Sequence, residues 1–331
     1  MTLSIPTCIV DAISKQIGIL HAVVTVLAAA AFVASWSSGF LIAAVVTVDT
    51  PATTLLVWRF VPVAIVLVVI VLATGAIGDV RRSDLRHQAI VGLFAQFGYC
   101  VFVYAAIASG IASGTTALVD AVQPLVVATL VGPLLGLRVR AAQWAGLVLG
   151  AMGVVLVVRS QLGDEGAHPF AYALPALAMV SLIIATFLDR RSTTRLPVLV
   201  TLMIHVVVTS IALLVLAGAL GTLIPPASPM FWLQAALAAV FPTVAAYGLY
   251  WWLLRRVGIT ALNALLFLVA PVTAAEGALL LGEPLTGLTL VGFALAGGGV
   301  ALVLVSEARA SRDQAMPAVS ATRETDAAAS S

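Results

Sequence analysis

Apolar residues in this chain run in blocks of about 20, the length a helix needs to cross ~30 Å of hydrocarbon, and polar residues gather in the joins between blocks. Ten such blocks predict ten membrane helices, near residues 22–48, 52–74, 88–109, 112–135, 141–158, 169–188, 197–218, 231–254, 258–281 and 286–305. Some joins are very short, as at Asp49-Thr50-Pro51 and Gly282-Glu283-Pro284. The first apolar run begins near Ile17 and passes Ile42, too long for the core of a cleavable signal and long enough to span. From Ser306 to Ser331 the chain turns to Ala, Ser, Thr and scattered charge without apolar periodicity, so a disordered tail is expected.

A search for internal repeats gives one constant offset. Pro51, Ser35, Tyr104, Gly136, Gly146 and Gly153 reappear 146 residues later as Pro197, Ser181, Tyr250, Gly282, Gly292 and Gly299. With five helices in each half, an odd number, the second half must lie upside down relative to the first. Inverted repeats of this kind hold substrate sites near mid-membrane between the halves. The predicted architecture is thus an all-α integral membrane protein of two inverted five-helix repeats. A short cytoplasmic segment (1–19) precedes the first repeat (20–159), and the second repeat (160–305) precedes the tail (306–331).

Composition agrees: 62% of the 331 residues are apolar and 9% are charged, against roughly 25% charged in soluble domains. The net charge of +2 gives no reason to expect a nucleic-acid partner. The placement of charge says more. Lys15, Arg81, Arg82, Arg86, Arg138, Arg140, Arg190, Arg191, Arg195, Arg255, Arg256, Arg309, Arg312 and Arg323 all fall in connections or termini on one side of the predicted bundle. Arg159 alone falls on the other, and Arg59 lies inside the second helix. By the positive-inside rule both termini are cytoplasmic. One lysine against fifteen arginines, with abundant alanine, fits a high-GC bacterial genome.

Cofactor chemistry finds no foothold. Cys8 and Cys100 form no CxxC pair, the histidines His21, His87, His168 and His205 are dispersed, and neither DxxxD nor HxxxH occurs, so no metal site is expected. No GxxxxGK[ST] run marks a nucleotide site.

The candidate chemistry lies inside the helices. Asp120, Gln123 and Pro124 put a carboxylate, an amide and a helix-breaking proline in one apolar segment, with Asp120 and Gln123 on one face at i, i+3. Arg59 and Glu276 are the other intramembrane charges. At 1.5 Å per residue all three charges lie roughly 8–12 Å below the outer face, so an ion pair of Arg59 with either acid is geometrically possible. The acids suit proton or amine binding and Arg59 suits a substrate carboxylate; snorkelling of Arg59 or an interhelical pair is the structural counterpart. His205, the repeat image of Arg59, is placed to relay protons or simply to hydrogen-bond a neighbouring helix. Gln96, Tyr99, Cys100 and Tyr104 on helix 3, with Thr243, Tyr247, Tyr250 and Trp251 on helix 8, follow helical spacing and suit a cavity wall. Tyr250, Trp251 and Trp252, near the cytoplasmic end, equally suit interfacial anchoring. Trp36 and Asn263 are further lining candidates, and Pro124 and Pro271 are candidate hinges in the two halves. Gly146, Gly150 and Gly153, mirrored by Gly292, Ala296 and Gly299, make smooth faces for close packing of helix 5 on helix 10 or across a dimer.

These residues resemble a known family, the EamA-type members of the drug/metabolite transporter superfamily. The resemblance rests on Trp36-Ser37-Ser38-Gly39-Phe40, on Pro51 with Arg59-Phe60, on Tyr247-Gly248-Leu249-Tyr250 with Arg255-Arg256-Val257-Gly258, and on Ala270-Pro271-Val272-Thr273 through Leu280-Leu281-Gly282-Glu283-Pro284-Leu285-Thr286. Leu137 replaces the acid that Glu283 supplies in the second half, and Glu276 is not part of the usual pattern. The resemblance implies a bacterial inner-membrane carrier, often an exporter of amino acids, other metabolites or toxic compounds, with no shared catalytic set. The expected protein is a secondary-active transporter, monomeric or homodimeric, whose partners are the bilayer and a small-molecule substrate. A polytopic enzyme acting on lipid or prenyl substrates is the alternative, disfavoured by the lack of clustered acids.

Overall fold

The structure, a computed structural model, describes residues 7–78, 80–111, 113, 116–117, 121, 123–159, 169–192, 196–281 and 286–328. All regular structure among them is helical. In chain order the helices are α1 (Thr7–Val46), α2 (Ala52–Thr74), α3 (Arg82–Ala108), α4 (Gln123–Leu135), α5 (Ala141–Arg159), α6 (Ala173–Arg191), α7 (Val198–Leu220), α8 (Pro229–Val257), α9 (Ile259–Leu265 and Val269–Leu281) and α10 (Gly287–Ala328). Eight are long and apolar enough to cross a membrane; the described parts of α4 and α5 form shorter apolar helices, Gln123–Leu135 and Ala141–Leu156. The protein is a multi-pass membrane protein. The helix of α10 runs on to Ala328, through the segment expected to be disordered. Seven of the 23 residues from Ser306 to Ala328 are alanine, the strongest helix former, which needs no apolar periodicity.

The repeat is written into the caps. Pro51 and Pro197 precede α2 and α7 in the same extended conformation, and Gly75 and Gly221 end those helices at φ 63° and φ 71°. Left-handed φ at the residue after a helix is where glycine avoids the Cβ penalty. Each helix is 23 residues long, and each cap recurs at the 146-residue offset. Ile65 and Val69 of α2 and their images Ile211 and Val215 of α7 are all exposed, an apolar exterior that suits hydrocarbon and not water.

Close packing of α5 on α10 is built on the expected glycines. A Cβ on Gly146 would stand 2.6 Å from the Gly299 carbonyl oxygen, and one on Gly153 would stand 2.6 Å from that of Gly292. The interface therefore lies within one chain. The α5–α10 contact ends in a hydrogen bond from the Gln143 amide to the Glu307 carboxylate.

Two irregularities position the interior. Both α3 and α8 widen into a π-helical turn, at Leu93–Gly98 and Val240–Ala245. The second helix of the α4/α9 pair breaks into a 3₁₀ turn at Leu266–Leu268, and Pro271 follows in its next turn. Proline lacks the N–H that would bond the Phe267 carbonyl, so a break at that point costs little. Pro124 is the second residue of the described α4, Gln123–Leu135, and is buried. Asp120 lies outside the described residues.

Candidate functional site

Arg59 is the centre of a polar network in the interior. Its side chain is 2% exposed and runs inward from α2, which removes the snorkelling reading. The three guanidinium nitrogens donate to neutral oxygens: Nε to Thr243 Oγ1 (2.6 Å), Nη1 to the Tyr104 hydroxyl (2.9 Å) and Nη2 to the Pro242 carbonyl (2.8 Å). Its plane also meets the Phe60 ring, with the central carbon 4.8 Å from the centroid. Among the described residues Arg59 forms no ion pair. Tyr104 in turn donates to the Gly39 carbonyl on α1 (3.2 Å), so α1, α2, α3 and α8 are tied at one level.

Aromatic rings close the site. The Trp36 indole donates to the Tyr99 hydroxyl (3.0 Å), and its ring lies 5.4 Å from that of Tyr99 and 5.2 Å from that of Tyr247. Tyr247 donates to the Ala95 carbonyl (2.9 Å) and meets the Cys100 sulfur at 3.4 Å. Between Arg59 and these rings lies a cavity of about 20 Å³, room for roughly one water molecule.

The π turns explain how the backbone enters this network. In a regular α-helix the Ala246 N–H would bond Pro242; here it bonds Phe241 and Thr243 instead. The Pro242 carbonyl is thereby left for Arg59. In α3 the Tyr99 N–H bonds Phe94 and Gln96 and passes over Ala95, whose carbonyl takes the Tyr247 hydroxyl. Each half contributes one released carbonyl, at nearly the same repeat position. π turns recur at functional sites for this reason.

The remaining predicted residues divide into separate groups. His205, fully buried at the image position of Arg59, bonds Gln88 Oε1 through Nε2 (2.8 Å), and Gln88 Nε2 donates to Asp189 (3.0 Å). Because the amide nitrogen of Gln88 is committed to Asp189, its oxygen faces His205, and Nε2 must carry the proton. The imidazole also packs edge-on against Trp251 at 5.1 Å. Tyr250 and Trp251 are fully buried, so neither is an interfacial anchor; Tyr250 instead meets the Thr186 hydroxyl at 2.6 Å. Gln123 and Asn263 find each other, with Gln123 Nε2 donating to Asn263 Oδ1 (3.0 Å) across α4 and α9. Glu276 is not brought to Arg59. It faces a groove of about 510 Å³ between α1, α8 and α9, beside Ser35, Ser38 and Phe241, and its buried Oε2 has no hydrogen-bond partner. An Arg59 pair with Asp120 falls outside the described residues. Among the described residues no three His, Cys, Asp or Glu side chains are placed to hold a metal ion.

The sequence pattern of the EamA-like transporter family matches residues 23–159 and 169–305. The chain belongs to that family. Membership makes it a membrane transporter of the drug/metabolite superfamily, a family of transporters and not of enzymes. The two matched segments of this EamA-like chain are separated by the same 146 residues that relate its prolines and capping glycines. A protein of known crystal structure shares its fold with a TM-score of 0.69 at 20% identity, over 86% of this chain and 98% of that one. No curated protein matches it.

Sequence reasoning named most side chains of the Arg59 site but missed its backbone acceptors, the carbonyls of Pro242, Gly39 and Ala95. It also missed Gln88 and Asp189 as partners of His205. An intramembrane Gln88 four residues before Gly92 was a usable signal: a Cβ on that glycine would meet His205 Cα at 2.8 Å, so α3 and α7 touch there.

Proposed function

We propose that this protein is a secondary-active carrier that exports a small amphipathic metabolite, such as an amino acid or an amine, by alternating access. In this reading ten spans form two inverted repeats in a bacterial inner membrane, with both termini cytoplasmic. Asp120 or Glu276 carries a coupling proton, and Pro124 and the 3₁₀ break before Pro271 act as hinges. The observation that carries the reading is the Arg59 site itself, assembled from α1, α2 and α3 of one repeat and α8 of the other. A site divided between two halves changes access when the halves move, as in carriers built on repeats. The one-sided distribution of arginine supports the orientation.

Counterflow tests it. Proteoliposomes loaded with an unlabelled amino-acid or amine mixture are expected to accumulate a labelled member of that mixture without ATP, and to do so faster with an imposed pH gradient. A strict ATP requirement sinks the carrier; flux indifferent to the gradient sinks the proton coupling.

A further inference from the structure

The geometry points to Arg59 as the residue that recognises a carboxylate on the transported solute, whose apolar body lies against Trp36, Tyr99 and Tyr247. This deepens the carrier reading and rests on it for the word transported, but the binding site itself stands on separate observations.

A guanidinium carries five N–H groups. Three are taken, one each by Thr243, Tyr104 and Pro242, which leaves one N–H on each terminal nitrogen without a partner among the described residues. Two parallel donors on the two terminal nitrogens are what a carboxylate accepts as a fork. The neutral oxygens hold the guanidinium in place without cancelling its charge, and among the described residues no acid does so. A permanent cation sealed in the interior of a membrane protein without a counter-ion is costly, and such groups mark substrate or ion pathways. The water-sized cavity between Arg59 and the aromatic rings marks the place that an anionic head would take once the rings part.

Two further observations set this place apart from ordinary packing. Gln96, on α3 one turn before Tyr99 and Cys100 and outside the cavity lining itself, is fully buried, and neither of its amide atoms has a partner among the described residues. An amide left this way in a dry interior is costly until a polar group reaches it. The second observation is the broken symmetry. The image of Arg59 is His205, whose Nε2 is locked by Gln88 and Asp189, and the images of Trp36 and Tyr99 are Leu182 and Ala245. At these positions the first half sets a buried cation beside Trp36 and Tyr99, and the second half sets a hydrogen-bonded histidine beside Leu182 and Ala245. An oxyanion with an apolar body satisfies the free N–H pair, the charge and the rings together. An ammonium on the same apolar body meets the rings but offers the N–H pair no acceptor and repels the guanidinium.

Equilibrium binding to the full-length protein in lipid nanodiscs tests this without any gradient. The probes are radiolabelled benzoate, hexanoate and phenylalanine, each displaced by its unlabelled acid, by its primary amide and by its decarboxylated amine or hydrocarbon-matched amine, with empty nanodiscs as the blank. At least one acid is expected to bind saturably and about tenfold or more ahead of its amide and amine. Arg59→Lys is expected to weaken that acid about tenfold, because a point charge replaces the fork, and Arg59→Gln to abolish it. If no acid outranks its amide, or if Arg59→Gln keeps the affinity, the proposal is overturned. Should Arg59→Gln not fold, the wild-type ranking of acid, amide and amine and the Arg59→Lys variant decide alone. If acid binding is absent in the wild type and appears in Asp120→Asn, Asp120 is the counter-ion and the proposal is likewise overturned. Charge-selective binding without counterflow removes the carrier and keeps the site; counterflow with charge-blind binding does the reverse.

Discussion

Tyr104 shows how much one hydroxyl does at the Arg59 site. It accepts from Nη1 at 2.9 Å and donates to the Gly39 carbonyl at 3.2 Å, so it joins α2 to α1 through α3. Tyr104→Phe leaves a charged N–H short of an acceptor in a buried place, and bonds to charged groups are worth about 1.5–3 kcal/mol. Trp36→Phe removes a neutral bond to Tyr99 and keeps most of the stacking, a loss of about 1 kcal/mol. Thermal unfolding of the two variants in one detergent is therefore expected to rank Tyr104→Phe clearly below Trp36→Phe, with both below wild type. Equal midpoints, or the opposite order, would show that the guanidinium does not depend on Tyr104. The residues of this site were legible in the sequence, but their partners were not. Hydropathy gives depth along the membrane normal, and by depth Arg59 and Glu276 were matched. Their direction around the helix axis decides contact, and it sends Arg59 to Thr243 and Glu276 to a different groove. Gln123 and Asn263, read as separate lining residues, prove to be each other's partners for the same reason.

At the scale of elements, the α5–α10 contact was the most legible feature, since glycine three and four residues apart permits only close packing. Its consequence is sharply positional. Gly146→Ala must push a methyl to 2.6 Å from the Gly299 carbonyl, which is backbone and cannot swing away. Gly299→Ala meets the Gly146 carbonyl and the Gly150 nitrogen at 2.5 Å. Overpacking of this kind costs about 1–3 kcal/mol. Gly287 and Gly297, on the same helix α10, have nothing within 4 Å of a built Cβ, and alanine there gains helix propensity of up to about 1 kcal/mol. Thermal midpoints are expected to fall for Gly146→Ala and Gly299→Ala and to hold or rise for Gly287→Ala and Gly297→Ala. A uniform response across the four would mean that the glycines act through propensity and not through contact. The π turns, in contrast, left no trace in the pattern. A π turn shifts the helical register by a single residue, and in helices that are apolar on nearly every side no polar stripe exists to display the shift. Their effect is large even so, because they release the Pro242 and Ala95 carbonyls that Arg59 and Tyr247 use.

For the whole molecule, the repeat was visible because its offset is held by residues with strict backbone demands, proline before α2 and α7 and left-handed glycine after them. Those positions tolerate few alternatives, so they keep register where the apolar filling drifts. Inversion has a direct consequence at the ends of these two helices. Ser83 follows α2 and Ala227 follows α7, two residues from the image of Ser83. Parallel repeats place such positions on the same side of the membrane, and inverted repeats place them on opposite sides. In a Cys8→Ser background, where the remaining Cys100 is buried, single cysteines are introduced as Ser83→Cys or Ala227→Cys. A membrane-impermeant maleimide applied to intact cells is expected to label the Ala227 site and spare the Ser83 site, with the order reversed in inverted vesicles. The arginines fix which side is which: Arg81, Arg82 and Arg86 flank Ser83, whereas the stretch from Gly221 to Ser228 has none. Both sites reacting from one side would end the inverted arrangement, and the reversed pattern would keep inversion but put both termini outside.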